Sequence, residues 1–243
     1  TTLFRSALSL RDVCTDHLKH VSFDLHKGEI FGLCGLSDSG IREVGQAAYG
    51  LLPVDSGEVS LPTHNVSIGN PYQALQNRVA YVPKDRDGEA LMMGASIQNN
   101  FCLPSVETLK GRFGFLSPKK LYQASSKARE QFSVKSTGVD QLMRALSGGN
   151  KQKVNLGRWL IKDLDVLIVD CPTRGVDIGV KAYIYQCLRE AKEKGMAILL
   201  ITDELSEVLG MADTIAVMKD GEICKLLPRS AELSEETIIE VMT

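Results

Sequence analysis

Leu146-Ser147-Gly148-Gly149-Asn150-Lys151-Gln152-Lys153 is the stretch around which the rest of the chain is organised. Two adjacent glycines let the backbone turn with its N–H groups outward, where a side chain would obstruct a ligand. Downstream, Val154, Leu156, Trp159 and Leu160 have the spacing of a helix with one buried face. Ser147 or Asn150 is expected to cap its start. A helix start with free N–H groups, partial positive charge and a hydroxyl nearby suits an anion, most naturally a phosphate. Ser-Gly-Gly-Asn by itself is equally the pattern of an ordinary helix cap. Its context adds to it: twelve residues after Lys153 comes Asp165-Val166-Leu167-Ile168-Val169-Asp170, an apolar run closed by a carboxylate.

The chain has 243 residues, enough for one large domain or a domain with a subdomain. A formal charge of −2 gives no electrostatic case for nucleic acid. The longest apolar stretch, Met196 to Ile201, is far too short to span a bilayer, so a membrane role has to be peripheral. The N-terminus lacks a signal-peptide pattern, and Thr1 is compatible with a piece of something longer. Cys14, Cys34, Cys102, Cys171, Cys187 and Cys224 form no CxxC pair, which suits reduced, largely buried thiols. His17 and His20, three apart, read as an exposed loop before a strand rather than a metal site.

Ala7 to Val13 and Val21 to Leu25 read as strands, the second alternating like a half-exposed antiparallel strand. Glu29 to Cys34 reads as a buried strand. It runs into Gly35-Leu36-Ser37-Asp38-Ser39-Gly40-Ile41-Arg42 and a helix from about Glu43 to Tyr49. Strand, glycine loop and helix is the context of a phosphate-binding loop. Gly35 and Gly40 have the right spacing, but Ile41 and Arg42 stand where a Lys and a Ser or Thr belong; taken alone, the loop reads as a structural turn. A short strand ends before Pro83. From Gly88 to Ala145 the pattern is helical, with Ser117-Pro118 as a helix start and Leu121, Ser125, Ala128 and Phe132 on one face.

Val166 to Val169 and Ala197 to Ile201 are continuous apolar runs, expected as parallel strands covered on both sides, with a helix from Ile178 to Lys194 between them. Ile215 to Met218, Asp220-Gly221 and Glu222 to Leu226 predict a hairpin, and Ser234 caps a last helix. The expected architecture is α/β: a mainly parallel sheet core, an antiparallel β portion and a helical insertion. Ligands of such sheets gather at the carboxyl ends of strands, where Gly35 and Asp170 both fall.

Four stretches carry a family resemblance: Gly28-Glu29-Ile30, Tyr81-Val82-Pro83-Lys84-Asp85-Arg86, Leu146 to Val154, and Asp170-Cys171-Pro172-Thr173-Arg174-Gly175-Val176-Asp177. The chain resembles an ABC transporter nucleotide-binding domain over its whole length. More narrowly, it looks like the C-terminal half of the tandem ATPases of simple-sugar importers of the ribose and galactose type. The resemblance implies a P-loop NTPase-like core at 1–86 and 154–243 and a helical subdomain at 87–153 that ends in the signature motif. It implies ATP with Mg²⁺, held between the glycine loop (Walker A) and Asp170 (Walker B) of one half and the signature of a second nucleotide-binding domain. That second domain is expected as an N-terminal twin. The other implied partners are an integral membrane permease and, indirectly, an extracytoplasmic solute-binding protein; nucleic acid is not among them. The implied location is peripheral, on the cytoplasmic face of the cell membrane.

In working relatives a Lys reaches the phosphates and the next hydroxyl binds Mg²⁺. Ile41 and Arg42 do neither, and Arg42 is expected to point elsewhere. Asp38 replaces a usual glycine; a carboxylate about 4 Å from a phosphate charge costs roughly 4 kcal/mol at an effective dielectric near 20. Cys171 stands for the general-base Glu, Asp203 for the switch His, and Lys84 for the Gln that senses Mg²⁺ and the membrane partner.

The expected own site is therefore Gly35, Asp38, Ser39, Gly40, Ile41, Arg42, Lys84 and Asp170, with Asp170 as a weak Mg²⁺ ligand and no intact catalytic residue. Ser147, Gly148, Gly149 and Asn150 are expected to serve the partner half's ATP, and Asp177 to contact that half. The domain then belongs to an ATP-hydrolysing importer for a sugar or similar solute while its own site is inactive. The alternatives are a nonenzymatic regulatory or scaffold domain of ABC shape, or a soluble ABC protein not tied to a permease.

Overall fold

The computed structural model describes residues 5–36, 38–230 and 233–242. They fold as two compact units: residues 1–81, 164–172 and 185–243 form unit one, and residues 82–163 and 173–184 form unit two.

Unit one carries the sheets. The strands in chain order are β1 (Ser6–Thr15), β2 (Leu18–His26), β3 (Ile30–Gly35), β4 (Ser56–Leu61), β5 (Val66–Ser67), β6 (Val79–Val82), β7 (Val166–Asp170), β8 (Ala197–Ile201), β9 (Thr214–Lys219) and β10 (Glu222–Pro228). Helix α1 (Ile41–Tyr49) follows β3, and α2 (Pro71–Gln76) precedes β6. One sheet has the order β2-β1-β4-β5 and is antiparallel throughout; the other runs β10-β9-β3-β8-β7-β6. Within the second, β9, β3, β8 and β7 are parallel and β10 returns antiparallel along β9. The predicted mixture of parallel core and antiparallel portion is thus observed.

Its physical basis is plain in the burial. Every residue of β3, β7 and β8 is buried, as continuous Val, Ile and Leu runs demand. In β2 the buried Val21, Phe23 and Leu25 alternate with Ser22, Asp24 and His26. Asp220 and Gly221 both adopt positive φ (51° and 84°), the turn that matches the twist of a two-residue hairpin.

Unit two is helical: α3 (Ile97–Cys102), α4 (Val106–Leu109), α5 (Pro118–Gln131), α6 (Gly148–Leu160) and the first part of α7 (Ile178–Glu193). Phe101 of α3 stacks on Phe132 beyond α5 at 6.3 Å between ring centroids. With Ile97, Ala128, Met143, Val154 and Leu156, all buried, they form its interior. Unit one closes with the rest of α7, α8 (Leu205–Met211) and α9 (Glu235–Met242). Ser234 caps α9 by accepting from the Thr237 N–H at 3.3 Å.

Two helix starts differ from expectation. Helix α1 begins at Ile41, because Gly40 at φ 91° turns the chain straight into it. Pro118 is the first residue of α5 as predicted, but Ser117 makes no side-chain cap bond.

Candidate functional site

The residues singled out from sequence divide between the units. Gly35, Asp38, Ser39, Gly40, Ile41, Arg42, Asp170, Cys171 and Asp203 lie in unit one; Lys84, Ser147 to Asn150 and Asp177 lie in unit two. Ser37 falls outside the described residues.

In unit one the glycine loop joins β3 to α1, and β7 ends beside it at Asp170. Ser39 ties the described part of this loop together. The Ser39 N–H and hydroxyl both donate to the Leu36 carbonyl, at 2.9 and 2.6 Å, and Ser39 is only 3% exposed. A side chain at Gly35 would meet the Ser39 hydroxyl, so the glycine is required by close approach. Asp38 is exposed. Ile41 is 3% exposed and belongs to the hydrophobic core, facing away from any loop ligand.

Arg42 corrects the sequence reading, because it is aimed into the site. Its Nε donates to Asp170 Oδ2 at 3.1 Å, and the Tyr81 hydroxyl donates to the same oxygen at 3.4 Å. Asp170 is 1% exposed, and its other oxygen, Oδ1, is buried without a hydrogen-bond partner. The next residue, Cys171, has φ 47°, donates its N–H to the Ile201 carbonyl at 2.8 Å and turns its thiol toward Asp203 Oδ1 at 3.8 Å.

Magnesium prefers near-octahedral oxygen coordination. Around Asp170 the first neighbour is a guanidinium, position 41 is aliphatic and position 171 is a thiol. Among the described residues no group of three or more His, Cys, Asp or Glu is arranged to hold a metal. A unit charge and a dication about 5 Å apart repel by roughly 7 kcal/mol at an effective dielectric near 20, before further screening by water. The residues present do not fit a magnesium ion.

Unit two presents the opposite arrangement. Ser147 is exposed at the head of α6 and, contrary to expectation, its side chain makes no cap bond. Asn150 instead donates to the Ser147 hydroxyl at 2.9 Å, while its own oxygen accepts from the Lys135 N–H at 2.8 Å. The first-turn N–H groups of α6 therefore carry no side-chain cap. Asp177 heads α7 and accepts from the Val180 N–H at 2.9 Å. A Cβ on Gly149 would come within 2.7 Å of Val180, so α6 and the head of α7 pack too closely for any other residue. Lys84 is half-buried just after β6.

Sequence reasoning missed the support of this helix start. Arg86 donates to the Gly148 carbonyl at 3.2 Å and to Asp87 at 2.7 Å, and Lys151 of α6 donates to the other Asp87 oxygen at 2.8 Å. Burial pushes the Asp87 carboxyl up, but the hydrogen bonds and charges of Lys151 and Arg86 outweigh it and hold the carboxyl below the usual value. The one available signal was that Arg86 and Asp87 continue the Val-Pro-Lys-Asp run, two alternating charges after a strand end.

Comparison with known proteins shows the family and the fold. The ribose import ATP-binding protein RbsA of Lactococcus lactis subsp. lactis is 38% identical over 233 residues, which cover 94% of this chain and 47% of that protein. RbsA of Bacillus cereus is 36% identical over 225 residues, with 93% and 45% covered. The chain thus spans about half the length of these relatives. A solved nucleotide-free ATP-binding cassette from an ABC transporter superposes with a TM-score of 0.81 at 22% identity, covering 98% of this chain and 99% of that one, which shows the fold. The ABC transporter family pattern matches residues 18–174, more than half of the sequence, and the chain belongs to that family.

Proposed function

We propose that this chain is a nucleotide-binding half of an ATP-driven importer for a sugar or similar small solute, with a degenerate site of its own and a working signature. Ser147 and the N–H groups of Gly148 and Gly149 bind the γ-phosphate of ATP held by a second nucleotide-binding half, a twin preceding this chain in the complete protein. The helical unit docks on a membrane permease through about Leu91 to Pro104, where Met92 is exposed. The domain works on the cytoplasmic face of the membrane, and no helix among the described residues is long and apolar enough to cross it. The coverage of about half of each ribose-importing relative supports the tandem arrangement.

The observation that carries the reading is the contrast between the exposed Ser147, whose hydroxyl accepts from Asn150, and Asp170, whose carboxylate is already bonded by Arg42. A domain used only as a scaffold has no use for a helix start presented in this way. Preorganised donors at a developing phosphate charge lower a barrier by about 3 kcal/mol, roughly a hundredfold in rate. In the assembled transporter, Ser147→Arg should therefore abolish most ATP turnover, although this half hydrolyses nothing. Wild-type turnover from that variant would overturn the reading.

A further inference from the structure

The geometry points to Arg42 as a built-in replacement for the divalent cation: its guanidinium occupies the electrostatic place at Asp170, so this half takes no magnesium and stays closed whatever the magnesium supply. The inference rests on the reading of this half as a degenerate nucleotide site and says what closes it.

Asp170 ends β7 with its side chain fully buried, where an unpaired carboxylate is costly. Something positive has to stand beside it. Arg42 does so at 3.1 Å from the second position of α1, fixed by a helix whose first residue, Ile41, is anchored in the core. The Tyr81 hydroxyl adds a donor to the same oxygen. Both donors arrive on Oδ2, which leaves Oδ1 as the one Asp170 oxygen open to an ion. A guanidinium is a poor substitute for a metal as a Lewis acid but a good one as a neutraliser: planar, always protonated and held in place by its own stem. A dication at Oδ1 would face this fixed charge and find no hydroxyl on residue 41 or 42 to complete its coordination.

This differs from a site that is merely weakened. A weakened site fills when magnesium and nucleotide are raised, whereas one with an internal cation does not respond, and removing the cation creates a metal site that was absent before. The contact also gives Asp170 a structural role: it ties the loop-bearing helix to the sheet.

Manganese, a paramagnetic stand-in for magnesium, tests this by electron paramagnetic resonance on the full chain, with and without ADP. The wild type should bind no Mn²⁺ through Asp170 in either condition. Arg42→Thr, which removes the charge and supplies a hydroxyl, should bring Mn²⁺ binding to about tenfold or more above the detection limit that the wild type does not reach, and Asp170→Asn in that background should remove it. If Arg42→Thr fails to fold, Arg42→Gln keeps a donor toward Asp170 without the charge and should show the gain. Wild-type Mn²⁺ binding that Asp170→Asn abolishes would overturn the inference, as would a folded charge-removing variant that gains nothing. Neither result touches the Ser147 test, so failure of the cation inference and failure of the functional reading are separately visible.

Discussion

The head of α1 and the head of α6 are both glycine-flanked helix starts, and the side chains around them are arranged in opposite ways. At α1 the polar groups face one another: the Ser39 hydroxyl on the Leu36 carbonyl, Arg42 on Asp170. At α6 they face out: Ser147 is exposed, with Asn150 behind it and Arg86 on the Gly148 carbonyl. The difference teaches that a glycine pattern specifies backbone, not availability. Neither start carries a side-chain cap on its N–H groups, so what differs is where the neighbouring side chains point.

That contrast can be broken most forcefully at Arg42. Removing one member of a buried ion pair costs about 3–5 kcal/mol, and with the Arg42 side chain 37% exposed and partly screened the expected loss is nearer 2 kcal/mol. Arg42→Ala should lower the urea midpoint accordingly; an unchanged midpoint would mean that α1 does not depend on this contact. Arg86→Ala comes next. It removes a charged donor from the Gly148 carbonyl, worth about 1–2 kcal/mol. Amide exchange at the head of α6 should quicken while the strands of unit one keep their protection. Equal quickening in both units would mean that the Arg86 contact does not act locally on α6.

The smallest effect lies in acid. The Asp87 carboxyl titrates lower in the folded chain than its ordinary value of 3.8, so its contribution is complete above that value and is lost as pH falls through the folded value below it. With the side chain 42% exposed, screening reduces this to about a few tenths of a kcal/mol. Asp87→Asn should flatten the slope of stability against pH below about pH 4. A slope identical to wild type would mean that other carboxylates set the acid limb.

Much of the fold could be read from the sequence because it rests on local rules. Continuous apolar runs gave β7 and β8, alternation gave β2, and Asp220-Gly221 gave the hairpin. The interior of the candidate site was less legible. Arginine has several rotatable bonds and no pattern states where its charge lands, so Arg42 was expected to point away and instead meets a residue 128 positions later. Ser147, or else Asn150, was expected to cap α6, since both residue types commonly do so at such a start. Asn150 instead claims the Ser147 hydroxyl, and that competition depends on rotamers, not on spacing. The Arg86 contact to Gly148 bridges 62 positions and left no periodic trace.

Cys171 holds the left-handed backbone conformation, φ 47°, that side-chain-bearing residues adopt reluctantly, at a cost of about 1–2 kcal/mol. Its N–H is pinned to the Ile201 carbonyl, so the direction in which its side chain leaves the main chain is dictated by the sheet and not by the residue. The position therefore behaves as a socket into which different chemistries can be plugged without rebuilding what surrounds them. A substitution at residue 171 therefore changes the group presented there while leaving the mould intact.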